Sequence, residues 1–228
     1  MLTNYNGTAI TYDGIGNPLN WRNATSLTWQ GRRLTAMVVN GTAMSFEYNA
    51  DGIRKSKTYG NTTVNYITDG SKIIAEYNGN TYTYYIYDES GTIMGMMYNN
   101  QLYTYRKNLQ GDVTGIYTAN GNLVVEYTYS PYGEVLSTTG SMASTIGIAN
   151  PFRYRGYYYD TEIGFYYLQS RYYDPVVGRF LNADVYVSTG QGIVGNNMYV
   201  YCNNAPIYNI DPTGEWTFSI GYNFSAYL

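Results

Sequence analysis

The sequence predicts an all-β chain built from repeated antiparallel β-hairpins. Three observations lead there. A tyrosine followed four residues later by a glycine recurs at Tyr12/Gly16, Tyr48/Gly52, Tyr87/Gly91, Tyr117/Gly121 and Tyr129/Gly133. Between apolar runs stand turn dipeptides: Asn40-Gly41, Asp51-Gly52, Gly60-Asn61, Asp69-Gly70, Asn78-Gly79 and Asn120-Gly121. No segment sustains the i, i+3, i+4, i+7 apolar spacing of an amphipathic helix, so helix should be minor. A repeated phrase means one supersecondary unit used many times. Here each unit is a strand ending in Tyr, a turn that needs the positive φ tolerated by Gly, Asn and Asp, and a returning strand.

The elements follow in order over residues 1–141. Strands are expected at Met44 to Tyr48, Thr63 to Ile67, Ile73 to Tyr77, Thr81 to Tyr87 and Val124 to Tyr129. Alternation is clearest in the fourth, where Tyr82, Tyr84 and Ile86 share one face. An apolar residue follows the glycine by two places at Ile93, Leu123 and Val135. Gly31 to Gly52 is 21 residues, Gly91 to Gly111 is 20 and Gly111 to Gly133 is 22, a period that fits one two-stranded hairpin. Residues 142–150 are small and weakly patterned and read as a connecting loop. From Pro151 to 215 aromatics and arginines interleave densely. Trp216 to Leu228 alternates again (Trp216, Phe218, Ile220, Tyr222, Phe224) and reads as a C-terminal extension.

Composition narrows the function. Of 228 residues, 31 are Tyr against 6 Phe and 3 Trp, which suits broad sheets with many half-exposed positions because Tyr joins an apolar body to a polar tip. A net charge of −3 without a basic patch argues against a nucleic-acid partner. The chain has no histidine, which excludes Ser-His-Asp and Cys-His catalysis and the His-Glu-x-x-His zinc helix. The single cysteine, Cys202, cannot form an internal disulfide or a Cys-based metal site and reads as a buried thiol. No cofactor or metal is implied. Met1 to Asn20 holds no secretory signal pattern. No apolar run approaches the ~18 residues of a membrane span. Because the repeat is already under way by Tyr12, the chain reads as the C-terminal piece of a longer, exported protein.

Pro151-Phe152-Arg153-Tyr154-Arg155-Gly156-Tyr157-Tyr158-Tyr159-Asp160, then Gly164-Phe165-Tyr166-Tyr167-Leu168-Gln169-Ser170-Arg171-Tyr172-Tyr173-Asp174-Pro175, then Gly178-Arg179-Phe180-Leu181, resembles the core domain associated with Rhs (YD) repeats. Tyr199-Val200-Tyr201-Cys202-Asn203-Asn204-Ala205-Pro206 and Asp211-Pro212-Thr213-Gly214 fit that family's close. The upstream Tyr-x-x-x-Gly phrases resemble degenerate YD repeats. The resemblance implies a curved, spiral sheet, part of a hollow shell, with the segment 151–215 as its plug. It also implies a C-terminal toxin or effector, or further upstream YD repeats, as the partner within the same protein, and a secreted or cell-surface location.

Paired carboxylates are the catalytic option left without histidine, since two adjacent carboxyls can share a proton. Asp184 and Asp211 match positions of the family's C-terminal motifs, which implies an aspartyl autoproteolytic step. Two departures stand against it: Glu215 follows Asp-Pro-Thr-Gly where the family commonly has Leu, and Ala183 precedes Asp184 where an arginine is frequent. The alternative is that both aspartates cap turns. Arg153, Arg155, Arg171 and Arg179 could bind a guest; the plainer expectation is stacking on tyrosines and pairing with Asp160, Asp174 or Glu162 within the core. The function expected first is a non-enzymatic shell segment. An autoprotease core comes second, and a glycan-binding or adhesive module with exposed rings at each repeat third.

Overall fold

The computed structural model describes residues 1–184 and 197–219. Ile220, Tyr222 and Phe224 of the expected C-terminal alternation lie outside the described residues. A small hairpin, β1 (Asn4–Tyr5) and β2 (Thr8–Ala9), opens the chain. Twelve strands follow: β3 (Ala24–Gln30), β4 (Arg33–Val39), β5 (Thr42–Tyr48), β6 (Arg54–Tyr59), β7 (Thr62–Asp69), β8 (Lys72–Tyr77), β9 (Tyr82–Tyr87), β10 (Ile93–Tyr98), β11 (Gln101–Lys107), β12 (Val113–Thr118), β13 (Leu123–Tyr129) and β14 (Val135–Thr139). They form one 12-stranded sheet in which every strand pairs with its sequence neighbour. All the pairings are antiparallel.

The recurrent phrase has one geometry. Tyr48, Tyr87, Tyr117 and Tyr129 each pair with the residue six places on, Arg54, Ile93, Leu123 and Val135. The glycine at the fourth place takes φ between 79° and 90° in Gly52, Gly91, Gly121 and Gly133, a left-handed conformation that other residues resist. The side chain after the tyrosine accepts an amide across the turn: Asn49 Oδ1 from Ile53 N (2.9 Å) and Asp88 Oδ1 from Thr92 N (2.9 Å). A register shift follows in each case, so the returning strand starts with a bulge.

The tyrosine itself is a fastener between strands. In three of these copies its hydroxyl donates to a carbonyl at the start of the neighbouring strand: Tyr48 to Leu34 O (2.7 Å), Tyr87 to Ile73 O (2.8 Å) and Tyr129 to Val113 O (2.6 Å). A further copy carries no tyrosine. Lys107 pairs with Val113 six places on, Asn108 accepts the Asp112 amide at 2.9 Å, and Lys107 Nζ donates to Ile93 O at 2.8 Å. Lysine does the donor's work there, which is why the phrase is invisible in the sequence.

Beyond the sheet, residues 142–150 fold into turns and a short helix, α1 (Ile146–Ala149), whose Ile146 is buried. Four short strands then form a second sheet, β15 (Tyr158–Asp160), β16 (Phe165–Leu168), β17 (Arg171–Asp174) and β18 (Arg179–Phe180). A final pair is β19 (Asn209–Ile210) and β20 (Phe218–Ser219). One face of the large sheet is buried on this segment. Tyr66, Tyr85, Met96, Tyr105 and Ile116 cluster with Phe152 and Tyr158; Leu34, Met37, Met44 and Phe46 cluster with Phe165, Tyr167, Tyr172 and Leu181. Laid flat, a dozen strands would be about 50 Å wide. Yet the segment from Asn150 touches the sheet from Trp21, beside its first strand, to Tyr127 near its last. The sheet therefore curls around it. Tyr82, Tyr84 and Ile86 do share a face, and it is the outward one; Thr83 and Tyr85 point inward.

Candidate functional site

Two buried aspartates bind the second sheet to the wall. Asp160 ends β15 and is fully buried. It receives Arg54 Nη1 at 2.5 Å and Nη2 at 3.1 Å, and Lys57 Nζ at 2.9 Å. Lys57 also reaches Glu162 at 2.8 Å. Arg54, itself 0% exposed, donates to the hydroxyls of Tyr172 (3.0 Å) and Tyr66 (3.2 Å) and lies 4.3 Å from the Tyr167 ring centre. Burial pushes the Asp160 carboxyl up, but Arg54 and Lys57 outweigh it and hold it below the ordinary carboxylate value. Asp174, at the end of β17, receives Trp21 Nε1 at 2.8 Å and Arg22 Nη1 at 2.9 Å, and also caps its own turn through the Val176 amide at 2.9 Å. Both are aspartates of the Tyr-Asp phrases Tyr159-Asp160 and Tyr173-Asp174. Their cations come from the first repeats.

This corrects the pairing expected inside the core. Among the described residues, none of Arg153, Arg155, Arg171 and Arg179 pairs with Asp160, Asp174 or Glu162. The stacking expectation fares better. Arg153 lies 4.6 Å from the Tyr159 ring centre and donates to Gly147 O at 3.1 Å. Arg155 lies over Tyr154 at 5.0 Å and donates to Gln110 O (3.0 Å) and Pro206 O, while its backbone amide donates to Asp112 Oδ1 at 2.9 Å. Arg171 sits 3.6 Å from the centre of Phe180. Arg179 is half-buried and stands opposite Asp174 in the β17–β18 register.

Asp184 and Asp211, far apart in sequence, meet at one guanidinium. Arg171 Nη2 is 2.8 Å from Asp184 Oδ2 and 3.6 Å from Asp211 Oδ2. Its Nε donates to Gly214 O and its Nη1 to Met198 O at 3.1 Å. Asp211 Oδ1 accepts the amides of Gly214 (2.9 Å) and Glu215 (3.1 Å), so it does cap the Asp-Pro-Thr-Gly turn. Burial pushes its carboxyl up to about 6; Arg171 and the two amides pull the other way, and Asp184 adds to the rise. Burial also lowers the Arg171 guanidinium against the pull of both acids.

The remaining motif residues build the scaffold. The Tyr173 hydroxyl donates to Tyr132 O (2.6 Å) and Tyr166 to Gly133 O (2.8 Å), so the second sheet grips the last repeat turn through its backbone. Tyr172 serves Arg54, and Phe180 packs with Tyr173 and Tyr201. Gly156, Gly164, Gly178 and Gly214 take positive φ; Pro175 follows Asp174 into its turn, and Pro212 lies exposed beside Asp211. Sequence reasoning missed Trp21, Arg22, Arg54, Lys57 and Glu76. Glu76 accepts from Tyr158 Oη at 2.6 Å, and burial raises its carboxyl. Among the described residues the exposed tyrosines are Tyr82 and Tyr84 on β9 and Tyr208 before β19, while Tyr66, Tyr85, Tyr103, Tyr105 and Tyr127 are buried. No helix among the described residues is long and apolar enough to cross a membrane.

The teneurin YD-shell family model matches residues 67–207. The tRNA3(Ser)-specific nuclease WapA of Bacillus spizizenii is 34% identical over all of this chain and 10% of its own length. The toxin protein Tse5 of Pseudomonas aeruginosa is 44% identical over 29% of the chain and 5% of its own length. A TcdB2-TccC3-Cdc42 crystal structure superposes with a TM-score of 0.74 at 22% identity, covering 90% of this chain and 11% of that one. The chain thus spans about a tenth of the length of the curated relatives that match it throughout. A 12-stranded meander curled about a plug of Tyr-Asp hairpins, with this likeness across the chain, identifies the molecule: it belongs to the teneurin YD-shell family of Rhs-type YD-repeat proteins.

Proposed function

We propose that this chain is the closing section of a YD-repeat shell whose protein holds and presents a C-terminal toxin or effector outside the cell that makes it. The observation that carries the reading is the buried clasp between wall and plug, Arg54 and Lys57 on Asp160. It spends two cations and an acid on fixing the second sheet against the first repeats, an expense that a free-standing repeat array does not need. The relatives named for nuclease and toxin activities support a toxin or effector as the partner. The test uses the protein made from its complete reading frame. A protease should spare the segment following the shell in the wild type and digest it in Asp160→Asn. Equal digestion in both removes the encapsulating reading.

A second reading is favoured by the Asp184–Arg171–Asp211 arrangement. The Gly214 carbonyl accepts from Arg171, so the Gly214–Glu215 peptide is polarised. In hydrolysis, one carboxylate takes a proton from water as the oxygen bonds to the carbonyl carbon. The other carboxyl, protonated, gives its proton to the leaving nitrogen as the C–N bond breaks. The product is a new C-terminal carboxyl and a new amine, at the cost of one water. A carboxyl raised to about 6 is suited to hold that shared proton near neutral pH. The mass of the purified longer protein decides: two fragments, and one uncut species for Asp184→Asn, support cleavage; a single uncut wild type removes it.

A further inference from the structure

The segment that carries Asp184 is docked on the first repeats. Asn182 Nδ2 donates to Arg32 O at 3.2 Å, and Arg32 Nη1 donates in return to Ala183 O at 3.2 Å. The same nitrogen donates to Ile15 O at 3.0 Å, so one guanidinium ties two loops. The turn that presents Arg32, between β3 and β4, is braced by Asn17 Nδ2 on Gly31 O (2.8 Å). Tyr199 donates to Gly16 O at 2.8 Å. The carbonyl immediately before Asp184 is thus held by a side chain from 151 residues earlier. An open cavity of about 540 Å³ separates this turn from Ser170, Thr213 and Glu215, next to the polarised Gly214 carbonyl. Arg32 therefore lines the same cavity as Thr213 and Glu215, the neighbours of Gly214.

We propose that Arg32 is a positioning residue for the Asp184–Asp211 pair, so that the acid site is complete only when the β3–β4 turn is docked against residues 182–184. The inference rests on the cleavage reading above. The Arg32 Nη1 bond anchors the Ala183 carbonyl, together with the reciprocal Asn182 bond to Arg32 O, and thereby sets the reach of Asp184 to Arg171. Cleavage then waits for the wall to fold around the plug, because the residue that sets the acid belongs to the wall.

The test follows the cleaved fraction of the full-length protein over time, by intact mass, beside its unfolding temperature. Arg32→Met should cut roughly 10- to 100-fold more slowly, the effect expected of a misplaced catalytic group. Arg32→Lys, which restores one donor to Ala183 O, should recover most of the rate. Arg33→Met, on the exposed neighbour, should cut as the wild type does. Should Arg32→Met not fold, Asn182→Ala removes the reciprocal bond and should slow cleavage likewise. Wild-type rates in both Arg32→Met and Asn182→Ala, with the wild type itself cut, overturn this inference alone. Slowing that Lys does not recover also overturns it, since a structural role would suffice. An uncut wild type overturns the cleavage reading and this inference together.

Discussion

Replacing Asp160 by Asn should loosen the plug more than any other single change in the wall–plug contact. The carboxylate is fully buried and receives Arg54 at 2.5 and 3.1 Å and Lys57 at 2.9 Å. Asparagine keeps the shape but leaves a 0%-exposed guanidinium without its counter-charge. Lys57 retains Glu162, so its loss is partial. Removing one partner of a buried ion pair costs about 3–5 kcal/mol. For a chain of this size each kcal/mol moves the midpoint by roughly 2–4 °C, so a fall of about 6–20 °C is expected. Chemical denaturation of wild type, Asp160→Asn, Arg54→Met and the double variant measures it. The double variant should lose clearly less than the two singles together, because it buries no orphan charge. A loss below about 1 kcal/mol for Asp160→Asn, or strict additivity, would refute the clasp as the tie between wall and plug. The sign with pH follows from the lowered Asp160 carboxyl: its contribution is present above the unfolded value near 4 and is lost as pH falls through the folded value.

Other outcomes are expected from the repeat and the acid pair. Tyr87→Phe should cost about 1 kcal/mol in denaturant unfolding, because Ile73 O loses its hydroxyl donor. Lys107→Tyr should leave stability unchanged or raised, since it restores the donor that other repeats use, whereas Lys107→Met should lower it by about 1 kcal/mol. Gly133→Ala should destabilise strongly, read as a lower unfolding midpoint: at φ +90° its new Cβ would lie 2.5 Å from the Tyr154 ring. Asp211, raised from 3.8 to about 6, makes the folded protein bind a proton that the unfolded chain releases in that window. Its contribution is present below about 4 and lost as pH rises through about 6, a slope of about 1.4 kcal/mol per pH unit from this group. In Asp211→Asn that part of the pH dependence should vanish from the unfolding curves.

The sequence made the repeat legible because its spelling is the geometry. Tyr supplies the hydroxyl, Asn or Asp accepts the amide across the turn, and Gly takes the positive φ, all within one phrase such as Tyr87 to Ile93. Lys107 escaped because the fold asks for a donor there and not for a tyrosine. Arg54 and Lys57 escaped for another reason: a lone cation in a strand reads as solvent-facing, and only the opposing Asp160, more than 100 residues away, makes burial tolerable. The plug's motif residues were readable in kind and not in partnership. The family resemblance named Asp160 and Asp174, while Trp21 and Arg22, which hold the latter, lie in the least regular stretch of the chain. Asp184 and Asp211 were candidates for a carboxylate pair through the family's C-terminal motifs, with turn capping as the alternative. Their meeting depends on Arg171, the first residue of β17, reaching both, which spacing does not reveal.

The most direct test of the shell account is electron cryo-microscopy of the protein produced from its complete reading frame. The account predicts a hollow particle in which the wall of residues 24–139 continues an unbroken spiral sheet and residues 151–184 close it from within. A solid globule, or a map in which that segment stands clear of the sheet, would contradict it.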